Sequence, residues 1–138
     1  MILLAAAASV TVASADNIKS VDVAKLPDKA REFIDRHFGE LSVAAAKKET
    51  FPTEYDVVFA NGYKAEFDAD GEWIEIDCRR DAVPATAVPV QIREYVAKNY
   101  PAQRIVSISR NRHGYDVQLD NGYELGFDRR FRLTEFDD

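Results

Sequence analysis

Tyr55-Asp56-Val57-Val58-Phe59-Ala60-Asn61-Gly62-Tyr63-Lys64-Ala65-Glu66-Phe67-Asp68 returns sixty residues later as Tyr115-Asp116-Val117-Gln118-Leu119-Asp120-Asn121-Gly122-Tyr123-Glu124-Leu125-Gly126-Phe127-Asp128. Eight of the fourteen aligned positions are identical, too many for composition to produce, so the chain reads as one unit written twice. Within each stretch apolar and polar residues alternate, which is the period of a half-buried strand. The Asn-Gly pairs mark hairpins. A two-residue turn would put Tyr55, Val57 and Phe59 on the face opposite Tyr63, Ala65 and Phe67. A three-residue loop, Ala60-Asn61-Gly62 with the glycine in the left-handed region, restores one apolar face, and Asp120-Asn121-Gly122 repeats it.

Upstream of each hairpin the period changes. Leu26, Ala30, Phe33, Ile34 and Phe38, and again Val88, Ile92, Tyr95, Val96 and Tyr100, are spaced as one stripe of an amphipathic helix. Pro27 and Pro89 suit helix starts, and Gly39 and Pro101 mark the ends. Strands are predicted over 43–50, 54–59, 63–67 and 72–78, with counterparts over 104–111, 115–119, 123–127 and 132–137. The fold class is therefore α+β: two tandem repeats, each a helix on a four-stranded antiparallel meander, joined through a short linker into one sheet or nearly so. The boundaries are 1–15, 16–78, 79–87 and 88–138 for leader, first repeat, linker and second repeat. A repeat of this size is marginal alone, so the two should share a core.

Residues 2–15 are apolar or small and end in Ala13-Ser14-Ala15, the small-x-small pattern of a signal peptide over 1–15. Spanning a bilayer takes about 20 apolar residues, more than this run supplies, so no membrane span is expected in the mature chain. A formal net charge of −6 argues against nucleic acid as a partner. Cys78 is the only cysteine, which rules out an intrachain disulfide. Near the end of a strand it reads as a small buried side chain.

The repeated Leu/Val-Pro helix starts, the Tyr-Asp-Val strands, the Asn-Gly-Tyr hairpins and the 67–74 stretch Phe-Asp-x-x-Gly-Glu-Trp-Ile resemble the PepSY-like, beta-lactamase-inhibitor-protein-like family of exported bacterial proteins. The resemblance covers both copies from Leu26 onward. It implies a helix packed on a four-stranded antiparallel sheet in each copy, a periplasmic or secreted location and no assigned enzymatic activity. Fold likeness to an inhibitor does not carry function across. The second copy departs at Arg129-Arg130-Phe131, where Gly71 has no counterpart, so its last hairpin is expected to turn differently.

Chemistry-bearing patterns are sparse. His37 and His113 stand in no metal-ligand spacing, and neither adjoins a nucleophile motif. A carboxylate-based hydrolase would need two close carboxyls in a pocket. Asp68-Ala69-Asp70-Gly71-Glu72 has carboxylates at alternate positions before a glycine, which makes Asp68 and Asp70 weak calcium candidates. Asp and Gly are equally what a tight hairpin wants. The strongest signal is the sheet face turned from the helices. Alternation places Asp56, Glu66, Trp73, Glu75 and Asp77 there in the first copy, and Asp116, Glu124, Leu133 and Glu135 in the second. Val58, Lys64, Gln118 and Asp137 complete the face. Such a face suits the solvated side of a sheet, and it also suits docking an exported protein or peptide, with an outward Trp73 as anchor. No cofactor is implied. A cation-binding or envelope structural role is the alternative to a binding or inhibitory module.

Overall fold

The computed structural model describes residues 18–138. The expected leader over 1–15 lies outside the described residues. Nine antiparallel strands form one continuous sheet in chain order: β1 (Ile18–Ser20), β2 (Val43–Glu49), β3 (Glu54–Phe59), β4 (Lys64–Asp68), β5 (Trp73–Asp77), β6 (Ile105–Asn111), β7 (Gly114–Leu119), β8 (Glu124–Asp128) and β9 (Leu133–Asp137). Helix α1 (Asp28–Phe38) precedes β2, and α2 (Val90–Asn99) precedes β6. Pro27 and Pro89 stand at the N-caps, one position before the expected first helical turn, because neither residue needs an amide donor there.

Each helix buries its apolar stripe on the sheet. Leu26, Ala30, Ile34 and Phe38 are buried from the first, and Val88, Ile92 and Val96 from the second. Phe33 meets Phe67 edge-on at 5.6 Å, and Tyr95 meets Phe127 in the same way at 5.3 Å. The inward strand residues Val57, Phe59, Ala65, Phe67, Ile76, Ile108, Val117, Leu119, Leu125 and Phe127 complete one core. Cys78 is free and buried in it, and burial pushes its thiol up to about 12. The two halves meet where β5 pairs with β6, Ile76 opposite Ile108. Core and sheet therefore run unbroken across the join.

The Asn-Gly hairpins turn through three residues. The Phe59 amide donates to the Tyr63 carbonyl, and Gly62 sits at φ 93°; Leu119, Tyr123 and Gly122 (φ 92°) repeat the arrangement. The next hairpins depart from expectation. The Asp68 amide donates to the Glu72 carbonyl, closing a three-residue loop rather than four. Phe67 then faces Trp73, and a bulge brings Glu66 back opposite Glu75. The second half keeps the same turn, contrary to the reading that it would differ. The Asp128 amide donates to the Arg132 carbonyl, and Phe131 takes φ 65° where the first half has Gly71 at φ 90°. A Cβ on Gly71 would stand 2.9 Å from the Pro27 Cβ and 3.0 Å from the Ala30 nitrogen, so that turn packs against α1 and admits only glycine. Phe131 has room, and its ring stacks on Tyr115 at 5.3 Å. The short strand β1, which adds a ninth member beside β2, is absent from the sequence reading.

Candidate functional site

The helices cover one face of the sheet. On the other, the pairing register draws a single row across the strands: Lys47 opposite Asp56, Asp56 opposite Glu66, Glu66 opposite Glu75, Glu75 opposite Ser109, Ser109 opposite Asp116, Asp116 opposite Gly126, and Gly126 opposite Glu135. Directly opposed residues have their Cβ atoms about 5 Å apart, so Asp56, Glu66 and Glu75 form three like charges in contact. Glu49 and Glu54 border the row on β2 and β3, opposite one another.

The three carboxylates are half-buried rather than freely solvated. Burial raises Asp56 to about 8, helped by its neighbours Glu49 and Glu66. Burial likewise raises Glu66 to about 7, with the charge of Glu75 adding to it. Glu75 is raised by burial and by Asp77. Asp56 Oδ1 is shielded from solvent and has no hydrogen-bond partner. At neutral pH the row therefore holds protons that isolated carboxylates would have given up. Lys47 stands beside it with its side chain in solvent.

The second half lacks this crowding. Gly126 stands where Glu66 stands, and Asp116 and Glu135 flank the gap; a Cβ on Gly126 would meet Glu135 Cβ at 3.1 Å and Asp116 Oδ1 at 3.5 Å. Above the glycine lies a hollow of about 370 Å³ bordered by Asn111, Asp116, Thr134 and Glu135.

Of the nine residues read as a binding face, the register places Asp56, Glu66, Glu75, Asp77, Asp116, Glu124 and Glu135 on the open side. Trp73 and Leu133 are not there. Each lies opposite a core phenylalanine, Phe67 or Phe127, because the three-residue turn and the following bulge reverse the parity that simple alternation gives. Trp73 is 9% exposed and belongs to the core. The Arg110 guanidinium lies 4.6 Å from its ring centroid and donates to the Trp73 carbonyl at 2.5 Å. The same arginine approaches Glu72 at 3.7 Å. A run with apolar residues at 73, 74 and 76 carries more than strict alternation allows, and that excess is the sequence signal of the bulge. The outward anchor expected at Trp73 is thus replaced by an inward one at the join between the halves.

Asp68 and Asp70 sit in the β4–β5 turn. Asp68 Oδ1 accepts from the amides of Asp70 and Glu72, and Asp128 accepts from Arg130 and Arg132 in the same way. This is hairpin bonding of the kind Asp provides in any tight turn. Among the described residues no three His, Cys, Asp or Glu side chains are grouped so as to hold a metal ion. His37 Nδ1 lies 2.8 Å from Thr86 Oγ1, tying α1 to the segment before α2, and burial lowers its pKa, with Arg36 adding to the effect. No helix among the described residues is long and apolar enough to cross a membrane.

A family model described as "Putative beta-lactamase-inhibitor-like, PepSY-like" matches residues 53–135. Three solved structures share the fold over nearly their whole length. One, named a "putative periplasmic protein" from Bacteroides vulgatus, is 44% identical with a TM-score of 0.87, covering 90% of this chain and 99% of that one. A second, named a "putative calcium-regulated periplasmic protein" from Bacteroides thetaiotaomicron, is 40% identical with the same TM-score and coverage. A third, from Bacteroides vulgatus and named as periplasmic and of unknown function, is 42% identical with a TM-score of 0.83, covering 88% of this chain and 99% of that one. No curated protein matches the sequence. The expected periplasmic or secreted location agrees with these relatives, all three of which carry the word periplasmic in their names.

Proposed function

We propose, from the premise that this chain belongs to the PepSY-like, beta-lactamase-inhibitor-like family, that it is a periplasmic binding module which docks a positively charged protein or peptide on its open sheet face. It is a binding or inhibitory module rather than an enzyme, made of two tandem copies joined edge to edge. The repeat reading is supported by register: Asp56 and Glu66 pair as Asp116 and Gly126 do, and Glu66 and Glu75 as Gly126 and Glu135 do.

The observation that carries the docking reading is the row Asp56, Glu66 and Glu75. Three opposed carboxyl groups, half-buried on a face that no other element covers among the described residues, cost stability once they ionise, because burial and their like charges both oppose it. A Lys or Arg side chain laid across them would relieve the repulsion, supply the missing partner of Asp56 Oδ1, and expel the protons the row holds at pH 7.

The test is calorimetric titration with an oligoarginine peptide at pH 7, for the native protein and for the triple variant Asp56→Asn, Glu66→Gln, Glu75→Gln. The native protein should bind and release protons, and the variant should bind at least about tenfold more weakly. Equal binding by both would overturn the reading. Calcium is the competing ligand, because one relative is named calcium-regulated. If calcium raises the melting temperature of the native protein but not of the variant, while the peptide does neither, the row serves a cation.

A further inference from the structure

The two ends of the sheet are built as the two sides of its central join. At the join, β5 pairs with β6 through Glu75 opposite Ser109, Ile76 opposite Ile108 and Asp77 opposite Ser107. Strand β9 repeats β5: Leu133, Glu135, Phe136 and Asp137 hold the positions relative to β8 that Trp73, Glu75, Ile76 and Asp77 hold relative to β4. Strand β2 repeats β6: Ala45, Ala46, Lys47 and Lys48 stand to β3 as Ser107, Ile108, Ser109 and Arg110 stand to β7. The edge of β9 is thus the edge that β5 uses for β6, and the far edge of β2 is the one that β6 offers to β5.

We infer that β9 of one molecule pairs with β2 of a second, extending the sheet head to tail. In this register Glu135 would lie beside Lys47, Phe136 beside Ala46, and Leu133 near Lys48, where Trp73 meets Arg110 at the join. The side chains complement one another. Ile76 against Ile108 becomes the larger Phe136 against the smaller Ala46, and Glu135 gains an opposite charge. All five residues of β9 are exposed, and two of them, Leu133 at 39% and Phe136 at 44%, are among the few large apolar residues left in solvent. Their counterparts Trp73 and Ile76 are covered because β6 and the second half lie beside them. Glu135 and Asp137 disfavour pairing of β9 with another β9, since like charges would face each other, and so select the lysine-bearing edge.

That edge is held by β1, a poor match for it. Three residues pair, and Lys19 falls opposite Lys48. Both side chains of β1 after Ile18 are exposed. Strand β9 would replace β1 as the neighbour of β2, antiparallel as β5 is to β6. Because the two surfaces differ, the contact is heterologous and builds open chains of molecules rather than closed pairs.

Sedimentation velocity over a concentration series tests this. The full chain should associate as concentration rises, and a chain beginning at Asp22, which lacks both β1 and the Val21 amide that donates to the Ala46 carbonyl, should associate at least about tenfold more tightly. Glu135→Lys and Lys47→Glu should each weaken association by about tenfold, and the double variant carrying both changes should recover it, as reversed charge pairs do. A monomer at every concentration up to millimolar for both chains, or a double reversal no better than either single change, overturns the inference. Should the shortened chain lose its circular-dichroism signature, hydrogen exchange on the full chain decides. Amide protection in β9 should rise with concentration, and protection independent of concentration refutes the pairing.

Discussion

The first half of the sheet sets Asp56, Glu66 and Glu75 side by side on its open face; the second sets Asp116, Gly126 and Glu135 in the same places. The backbone geometry is shared, yet the crowding of carboxyl groups is not. Asp56 and Glu66 are held near neutrality by burial and mutual repulsion, while one glycine in the second row separates its two acids and leaves a hollow. A single side chain at the middle of three therefore decides whether the face stores charge conflict or empty space. The last strands differ in a parallel way. Trp73 on β5 is enclosed by the second half, whereas Leu133 at the matching position of β9 has nothing beyond it among the described residues.

Trp73→Ala breaks the second contrast most strongly. Removing a buried indole that carries the Arg110 stack should cost about 3 to 5 kcal/mol, while Leu133→Ala should cost less than about 1 kcal/mol. Urea unfolding of both variants measures the difference, and equal losses would mean that the join does not enclose Trp73.

Gly126→Glu imposes the first row on the second. The new side chain must push past Glu135, whose Cβ would stand 3.1 Å away, and place a third carboxylate between two others. A loss of about 1 to 3 kcal/mol at pH 8 is expected, shrinking as pH falls and the acids take up protons. A pH-independent loss would assign the effect to sterics alone.

Asp56→Asn loosens the first row. A carboxylate whose folded pKa is raised above its unfolded value favours the unfolded chain at high pH. The penalty is absent below the ordinary carboxylate value, grows as pH rises through the interval up to about 8, and is complete above it. The native protein should accordingly melt at a higher temperature at pH 5.5 than at pH 8.5. The variant should be more stable than native by on the order of 1 kcal/mol at pH 8, with a smaller gain at pH 5 and none at about pH 3. An unchanged pH profile would show that Asp56 is ionised and solvated.

Phe131→Gly should move stability least, by under about 1 kcal/mol. Relief of the left-handed φ of 65° is offset by loss of the stack on Tyr115. A large loss would mean that the ring, rather than the turn, holds the last hairpin.

Much of this architecture is legible in the sequence because its periods are clean. The helical stripes ending in Phe38 and Tyr100, eight of the nine strands, and the three-residue Asn-Gly loops all follow from spacing. The exceptions have local causes. A bulge consumes one residue without changing the composition, so the parity of Trp73 and Leu133 is lost from that point even though Glu75 and Ile76 are recovered. Strand β1 is three residues long, too short to show a period. Phe131 at a left-handed position is invisible to a rule that expects glycine there. The acidic face could be listed from alternation, but its half-burial and the direct opposition of Asp56, Glu66 and Glu75 depend on register across three strands, which no single stretch encodes.

The most direct test of the account is a carbon-13 NMR titration of the side-chain carboxyls. Asp56 should titrate at about 8 and Glu66 at about 7, with Glu75 raised above the ordinary carboxylate value as part of the same interacting row. If Asp56 and Glu66 both titrate at about 4 with the ordinary carboxylates, the first half of the face carries no conflict for a cationic partner to relieve, and the proposed docking site loses its basis.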